Sequence, residues 1–339
     1  MTGQTSMQAP PLPSDHPTLG GDRPPLRLGT RRSALAMAQS GMIADAVSAV
    51  TGREVELVEI TTYGDVSREA LAQIGATGVF VSALRDALLA GTIDFAVHSL
   101  KDLPTAAPEG LVLAAVPTRE DPRDALVARD GLTLAELLEK GDAHRPARIG
   151  TGSPRRMAQL NAWAAAQGLA VETVPIRGNV DTRIGYVRSG ELDAVVLAAA
   201  GLNRLGRLAE ATEVIDADVM LPAPGQGALA LECAATNSEL AAVLAALDDA
   251  PTRAAITAER TLLAALEAGC SAPVGALAVP ATEGEADEME LRALVGTVDG
   301  ATVVQMSATG HGAPDELGRG LAAQLLAAGA AGLMGERTK

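Results

Sequence analysis

Aromatic side chains are almost absent from this chain: one Trp, two Tyr and two Phe in 339 residues. Its core therefore has to be aliphatic, and an apolar content of 47% supplies the Ala, Val and Leu to build one. Lysine is nearly missing too. Lys101, Lys140 and Lys339 are the only three, and arginine carries the rest of the positive charge, so each retained lysine is informative. With two cysteines, Cys233 and Cys270, there is no disulfide framework, which points to a reducing cytoplasm. Positive charge is in deficit: the net charge of −15 argues against a nucleic-acid or anionic-membrane surface. No apolar run approaches the length of a membrane span. The four histidines are dispersed and no Cys/His spacing resembles a zinc set, so no metal site is expected. Neither a GxGxxG opening a helix after a strand, nor a Walker A loop, nor a GxSxG elbow is present.

The chain is too long for one small core, and two or three domains are expected. Residues 1–24, rich in Pro, Gly and polar side chains, read as a disordered tail and not a signal peptide. From Leu26 onward, strand-like and helix-like segments alternate. LRLG is followed by a helix that Ser33 can cap; VELVEI, VSALRDALLAG and IDFAVHS come next. The alternation resumes with ALVAR and continues to DAVVLAA, which implies parallel α/β architecture. Two proline-interrupted stretches, REDPRDA and LPAPGQGALALE, look like crossings between α/β blocks. They fit two lobes with a cleft between them, the chain returning to the first: 25–121 with 226–248, and 122–225. Beyond Asp249 a long helix, three β-like segments and a last Ala/Leu-rich helix read as a smaller α+β domain, 249–339.

The arginines concentrate where open α/β sheets place their ligands, at strand C-terminal ends and helix N-termini. Arg31 and Arg32 follow the first strand in GTRRS. Arg155 and Arg156 open a helix in GTGSPRR, beside Thr151 and Ser153. Arg177 ends a strand in IRGN, with Arg183 and then Arg204 further on. Guanidinium groups bind carboxylates or phosphates through paired, charge-assisted hydrogen bonds. Several of them at strand ends in an acidic protein point to a compact, multiply anionic ligand. In FAVHSLKDLP an apolar strand runs into His98, Ser99, Lys101 and Asp102. Lys101 and Asp102 read equally as a surface ion pair or as an anion-binding cation beside a catalytic acid. Cys270, in LEAGCSAPVG, divides evenly between a small buried hydrophobe and an accessible nucleophile or attachment point.

Ten motifs in order resemble the hydroxymethylbilane synthase (porphobilinogen deaminase) family: GTRRSALA, GDV, AVHSLKDLP, EDPRDA, GTGSPRR, IRGNVDTR, LAAAGLNRLG, LPAPGQGAL, ERTLLAALEAGCSAPVG and LRALVG. They span Leu26 to about Gly335. The resemblance implies two periplasmic-binding-protein-like α/β lobes with a cleft between them, plus the smaller α+β C-terminal domain. It implies a cytoplasmic, monomeric transferase that joins four porphobilinogen molecules head to tail on a covalent dipyrromethane primer and releases hydroxymethylbilane. Cys270 would carry the dipyrromethane through a thioether. Lys101, Ser99, Ser153, Arg155, Arg156, Arg183 and Arg204 would contact that cofactor; Arg31, Ser33, Thr151 and Arg177 would contact substrate. Asp102 matches the catalytic carboxylate, which would stabilise the cationic azafulvene formed on deamination. The stretch between Gly64 and Val81 resembles a mobile loop over the cleft. It has Gln73 and Thr77 where the family is basic, Tyr63 precedes GDV where arginine is usual, and Gly152 stands where serine is common. Two other readings stay open: a non-catalytic two-lobed polycarboxylate binder, and a synthase whose altered loop impairs turnover.

Overall fold

The computed structural model describes residues 24–61, 81–268, 272–281 and 288–334. The tail at 1–23, the loop with Tyr63, Gln73 and Thr77, and Cys270 lie outside the described residues.

The first lobe is built from β1 (Leu26–Thr30), α1 (Ala34–Thr51), β2 (Val55–Glu59), α2 (Ser82–Leu89), β3 (Phe95–Ser99) and β4 (Leu111–Ala115). As its sequence suggests, α1 starts at Ser33, whose Oγ accepts from the Ala36 amide at 3.3 Å, and it ends at Gly52 in the left-handed region. Among the described helices, α1 alone has the length and apolarity of a membrane span. Its apolar face is used inside the lobe, where Ile43, Ala44 and Val47 pack with Leu26, Leu28 and Phe95. The second lobe follows as β5 (Asp124–Ala128), α3 (Leu134–Glu139), β6 (Ala147–Thr151), α4 (Pro154–Ala166), β7 (Val171–Pro175), α5 (Val180–Arg188), β8 (Ala194–Ala198), α6 (Ala199–Arg204) and β9 (Glu213–Val214). The chain then returns to the first sheet as β10 (Leu229–Ala234), followed by α7 (Ser238–Leu244).

The two sheets share one plan. The first has the strand order β2-β1-β3-β10-β4 and the second β7-β6-β8-β5-β9. In each, four strands run the same way and the strand arriving from the other lobe is antiparallel to both of its neighbours: β10 against β3 and β4, and β5 against β8 and β9. The purely parallel sheets expected from the alternation are thus mixed ones. The reason is geometric. Each crossing enters its new sheet at the C-terminal edge of the parallel strands, so the incoming strand must run the opposite way. This doubled plan is the periplasmic-binding-protein-like architecture. Strand β4, from LVLAA, and the short helices α6 and α7 carry too little periodicity to stand out in the sequence.

The remaining described chain forms α8 (Ala250–Ala265), the antiparallel sheet β11 (Val274–Pro280), β12 (Glu288–Gly296), β13 (Val303–His311), and α9 (Pro314–Ala327). Ala258, Leu262, Leu291, Leu321 and Leu325, all fully buried, close its ring-free aliphatic core. Cys233 is buried on β10, where burial pushes its thiol up, in keeping with a plain core role. His98 turns away from Lys101 and Asp102 into the lobe, its Nε2 3.2 Å from the Glu232 carboxylate. Burial pushes Glu232 up, but the nearby His98 and the hydrogen-bonded Arg85 fork outweigh it and hold the carboxyl at about 2.

Candidate active site

The sheet plan decides where the chemistry-bearing residues meet. Because β10 is antiparallel to β3, Leu229 lies opposite Ser99, and the residues just before Leu229 sit where β3 ends. Likewise Asp124, the first residue of β5, lies opposite Ala198 at the end of β8. Both crossings therefore run along the C-terminal edges of the two sheets, the edge at which α/β proteins bind ligands. Gln226 joins them. Its buried amide donates to the Pro122 carbonyl at 2.7 Å and to Asp124 Oδ1 at 2.8 Å, and its Oε1 accepts from Lys101 Nζ at 3.4 Å. Two glycines make room for this turn. Gly225 and Gly227 both have positive φ, 75° and 87°, and a Cβ on Gly227 would lie 2.4 Å from the Glu120 carbonyl oxygen.

Asp124 has no exposed surface and is flanked by Arg156 at 2.7 Å and Arg155 at 2.8 Å. Burial alone would push its carboxyl up; the two guanidinium groups outweigh it and hold the group well below the usual carboxylate range. Arg155 also donates to the Leu221 carbonyl at 2.5 Å, and Arg156 to the Val196 carbonyl at 2.8 Å. Lys101 completes the cluster from the first lobe. Burial lowers its ammonium to about 8; Asp102 and Asp124 oppose the shift, and Arg156 and Arg155 add to it. Three cations thus surround one buried carboxylate, and the surplus is positive. Asp102 is exposed in the 3-10 turn Leu100–Asp102, directly beside Lys101.

The chain carries the sequence signature that goes with this arrangement. Residues 26–242 match the family model "Porphobilinogen deaminase, dipyromethane cofactor binding domain", and residues 253–327 match "Porphobilinogen deaminase, C-terminal domain". Porphobilinogen deaminase 1 of Streptomyces avermitilis is 72% identical over 321 residues, covering 92% of this chain and 98% of that protein. Porphobilinogen deaminase 1 of Streptomyces coelicolor is 70% identical over 320 residues, with 93% and 98% covered. The porphobilinogen deaminase of Thermobifida fusca is 58% identical over 286 residues, with 84% and 85% covered. The chain belongs to the porphobilinogen deaminase family. It is a transferase of tetrapyrrole biosynthesis with a dipyrromethane cofactor, which sets aside the non-catalytic binding module. Among solved structures, the periplasmic aliphatic sulphonate binding protein SsuA from Escherichia coli is 16% identical with a TM-score of 0.36, covering 72% of this chain and 70% of that one. The strand order, not that slight likeness, defines the lobes.

For a porphobilinogen deaminase, the fit of these residues to a polycarboxylate cofactor can be read from what the fold leaves unmatched. The Nε atoms of Arg155, Arg156 and Arg204 are buried with no hydrogen-bond partner among the described residues. Buried donors of this kind are costly unless something accepts from them, and carboxylates do. Arg204 reaches across to the Gly227 carbonyl at 2.6 Å, and burial pushes its guanidinium down, partly offset by Glu120. Arg183 donates to the Gly178 carbonyl at 2.9 Å; burial and then Arg156 push it down. Ser153 and Ser33 cap α4 and α1, with the hydroxyl oxygen accepting and its hydrogen left to donate. Ser99 pairs with Gln39 at 3.0 Å. Arg31 is half-buried after β1, and Arg177 is exposed after β7.

Thr151, expected to touch substrate, is fully buried at the end of β6, and its Oγ1 accepts from the Ser153 amide at 3.2 Å. Gly152, where serine is common in the family, has a steric reason: a Cβ there would lie 2.7 Å from the Ile176 carbonyl oxygen, and a serine would require that backbone to move. Asp124, Gln226 and Gln39 do not stand out in the sequence, although EDPRDA and APGQGA contain the first two. The available signal was an acid that starts an apolar strand, and a polar residue between two glycines at a crossing. A hollow lined by Arg27, Arg53, Glu56 and Asp94 lies at the opposite, N-terminal edge of the first sheet and holds none of the expected residues.

Proposed function

We propose that the junction between the lobes performs the condensation of porphobilinogen with the following division of labour. The observation that carries it is the surplus of cations at the junction, with three guanidine Nε atoms unmatched and the exposed Asp102 carboxylate beside Lys101. When bound through Cys270, dipyrromethane supplies the pyrrole position to which new units are joined. Arg155, Arg156, Arg183 and Arg204, with Lys101, Ser99 and Ser153, hold its acetate and propionate groups; Arg31, Ser33 and Arg177 take those of the incoming porphobilinogen. Asp102 is the general acid and base. As the substrate loses ammonia, its carboxylate faces the cationic carbon, and it then accepts the proton displaced from the attacked pyrrole. The reading includes the domain limits 25–121 with 226–248, 122–225 and 249–339, a monomer, and action in the cytoplasm. The synthase with an impaired loop turns on residues outside those described.

Intact-mass spectrometry tests it. The purified protein should exceed its sequence mass by one dipyrromethane unit, and Cys270→Ala should remove the excess. An unmodified wild-type chain from a host that makes porphobilinogen would overturn the assignment of Cys270.

Lys101 gives a pH-dependent expectation. Its ammonium titrates at about 8, and a bound carboxylate favours the charged form. Affinity of the Cys270→Ala protein for free dipyrromethane bearing the same acetate and propionate groups should therefore be flat below pH 8. Above it, affinity should fall, by up to about tenfold per pH unit, as one proton must be taken up on binding. Calorimetric titration across that range checks this. Lys101→Arg, permanently charged, should flatten the upper limb. The same upper limb in both proteins would remove Lys101 from carboxylate binding.

A further inference from the structure

The turn that carries Lys101 and Asp102 is held from outside its own lobe. Arg260, on α8, donates to the carbonyl oxygens of Leu103 at 3.0 Å and Pro104 at 2.7 Å, and more loosely to Leu100 at 3.3 Å. The Leu100 carbonyl also accepts from the Leu103 amide at 3.1 Å, so the guanidinium closes over the open end of this 3-10 turn. Ile256, one helical turn earlier on the same face of α8, packs against buried Leu100 and Leu103. The neighbouring Glu259, fully buried, takes the Arg119 fork at 2.6 and 3.0 Å and accepts from the amides of Gly225 at 2.6 Å and Ala278 at 3.0 Å. Helix α8 is thereby fixed to both crossings and to β11, and it presents Arg260 to the turn from a rigid base. An exposed carboxylate on a three-residue turn has few contacts of its own. A planar fork bridging several carbonyls fixes that backbone in a way no flexible ammonium reproduces.

We propose that Arg260 is a positioning residue for the condensation: by holding the backbone of Leu100–Pro104 it sets where the Asp102 carboxylate stands relative to the primer carried by the segment that follows α8. This rests on the assignment of Asp102 above. Arg260 touches no reacting atom; it acts through the turn.

The test is a cycle of Arg260→Ala and Asp102→Asn in holoenzyme, with Arg260→Lys alongside. A misplacement of about 1 Å costs up to about 100-fold in rate, so Arg260→Ala should lower kcat by roughly 10- to 100-fold. KM for porphobilinogen should stay within about twofold and the dipyrromethane mass should be retained. Arg260→Lys should recover only part of kcat, and millimolar guanidinium should partly rescue the alanine variant. In the Asp102→Asn background the same substitution should cost less than about twofold, because two residues acting through one group are not additive. An equal loss in both backgrounds would overturn the proposal, as would wild-type kcat in Arg260→Ala beside a collapsed Asp102→Asn. If the alanine variant does not fold, a lysine variant with wild-type kcat and normal cofactor content is equally fatal. Near-normal turnover in Asp102→Asn alone would instead defeat the assignment of Asp102.

Discussion

Asp102→Asn holoenzyme should turn over porphobilinogen about 10²- to 10⁴-fold more slowly, the range a positioned acid–base group contributes. Its intact mass should still include the dipyrromethane unit. The substitution keeps the size and the exposed position of the side chain, so the Arg260 contacts to the turn should survive and the loss belongs to the missing charge and proton acceptor. One side effect has a known sign. Asp102 is the neighbour that most strongly raises Lys101, so its neutralisation lets that ammonium fall below about 8. Kinetics at a pH well below 8, where the Lys101 ammonium is favoured, compared with those of Asp102→Asn/Lys101→Arg, separate the two contributions. A kcat within a few-fold of wild type at that pH would remove Asp102 from the chemistry.

Periodicity and capping made most elements of the lobes legible before any coordinates. Ser33, Ser153 and Asn179 each cap the helix they precede, and the apolar runs at Phe95–Ser99 and Ala194–Ala198 are central strands. Strand direction was not legible. Whether β5 and β10 run with or against their neighbours depends on which edge the crossing reaches, a property of two distant segments and not of either one. The arginines were visible as a class, because cations at strand ends in an acidic chain are anomalous. Their counter-charge was not. Asp124 reads as one acid among many until β5 places it between Arg155 and Arg156, and His98 reads as a site residue until Glu232 draws it inward. Arg260 lies far in sequence from the turn it holds, and nothing in the local pattern of α8 marks its direction.

Asp124→Asn should destabilise the Cys270→Ala protein by about 3–5 kcal/mol, the cost of leaving buried charges without their partner. Arg155 and Arg156 are 4% and 5% exposed, and both lean on this one carboxylate, which Gln226 also contacts. The pH dependence follows from the direction of the shift. A carboxyl held below its ordinary 3.8 adds stability that is fully present above that value and is lost as pH falls toward the lower folded one. Urea midpoints of the two proteins should therefore converge on acidification below pH 4. The decisive comparison is with the cofactor in place. If Arg155 and Arg156 hold carboxylates of dipyrromethane, those groups supply part of the lost counter-charge, and the penalty for Asp124→Asn shrinks in the holoenzyme. A ligand that binds only the folded state adds stability by mass action whichever residues it touches, so the measurement is the difference between penalties, not the midpoint itself. Equal penalties with and without cofactor would make the Arg155–Asp124–Arg156 cluster a structural pin of the crossing, and would leave Lys101, Arg183 and Arg204 to bind the carboxylates alone.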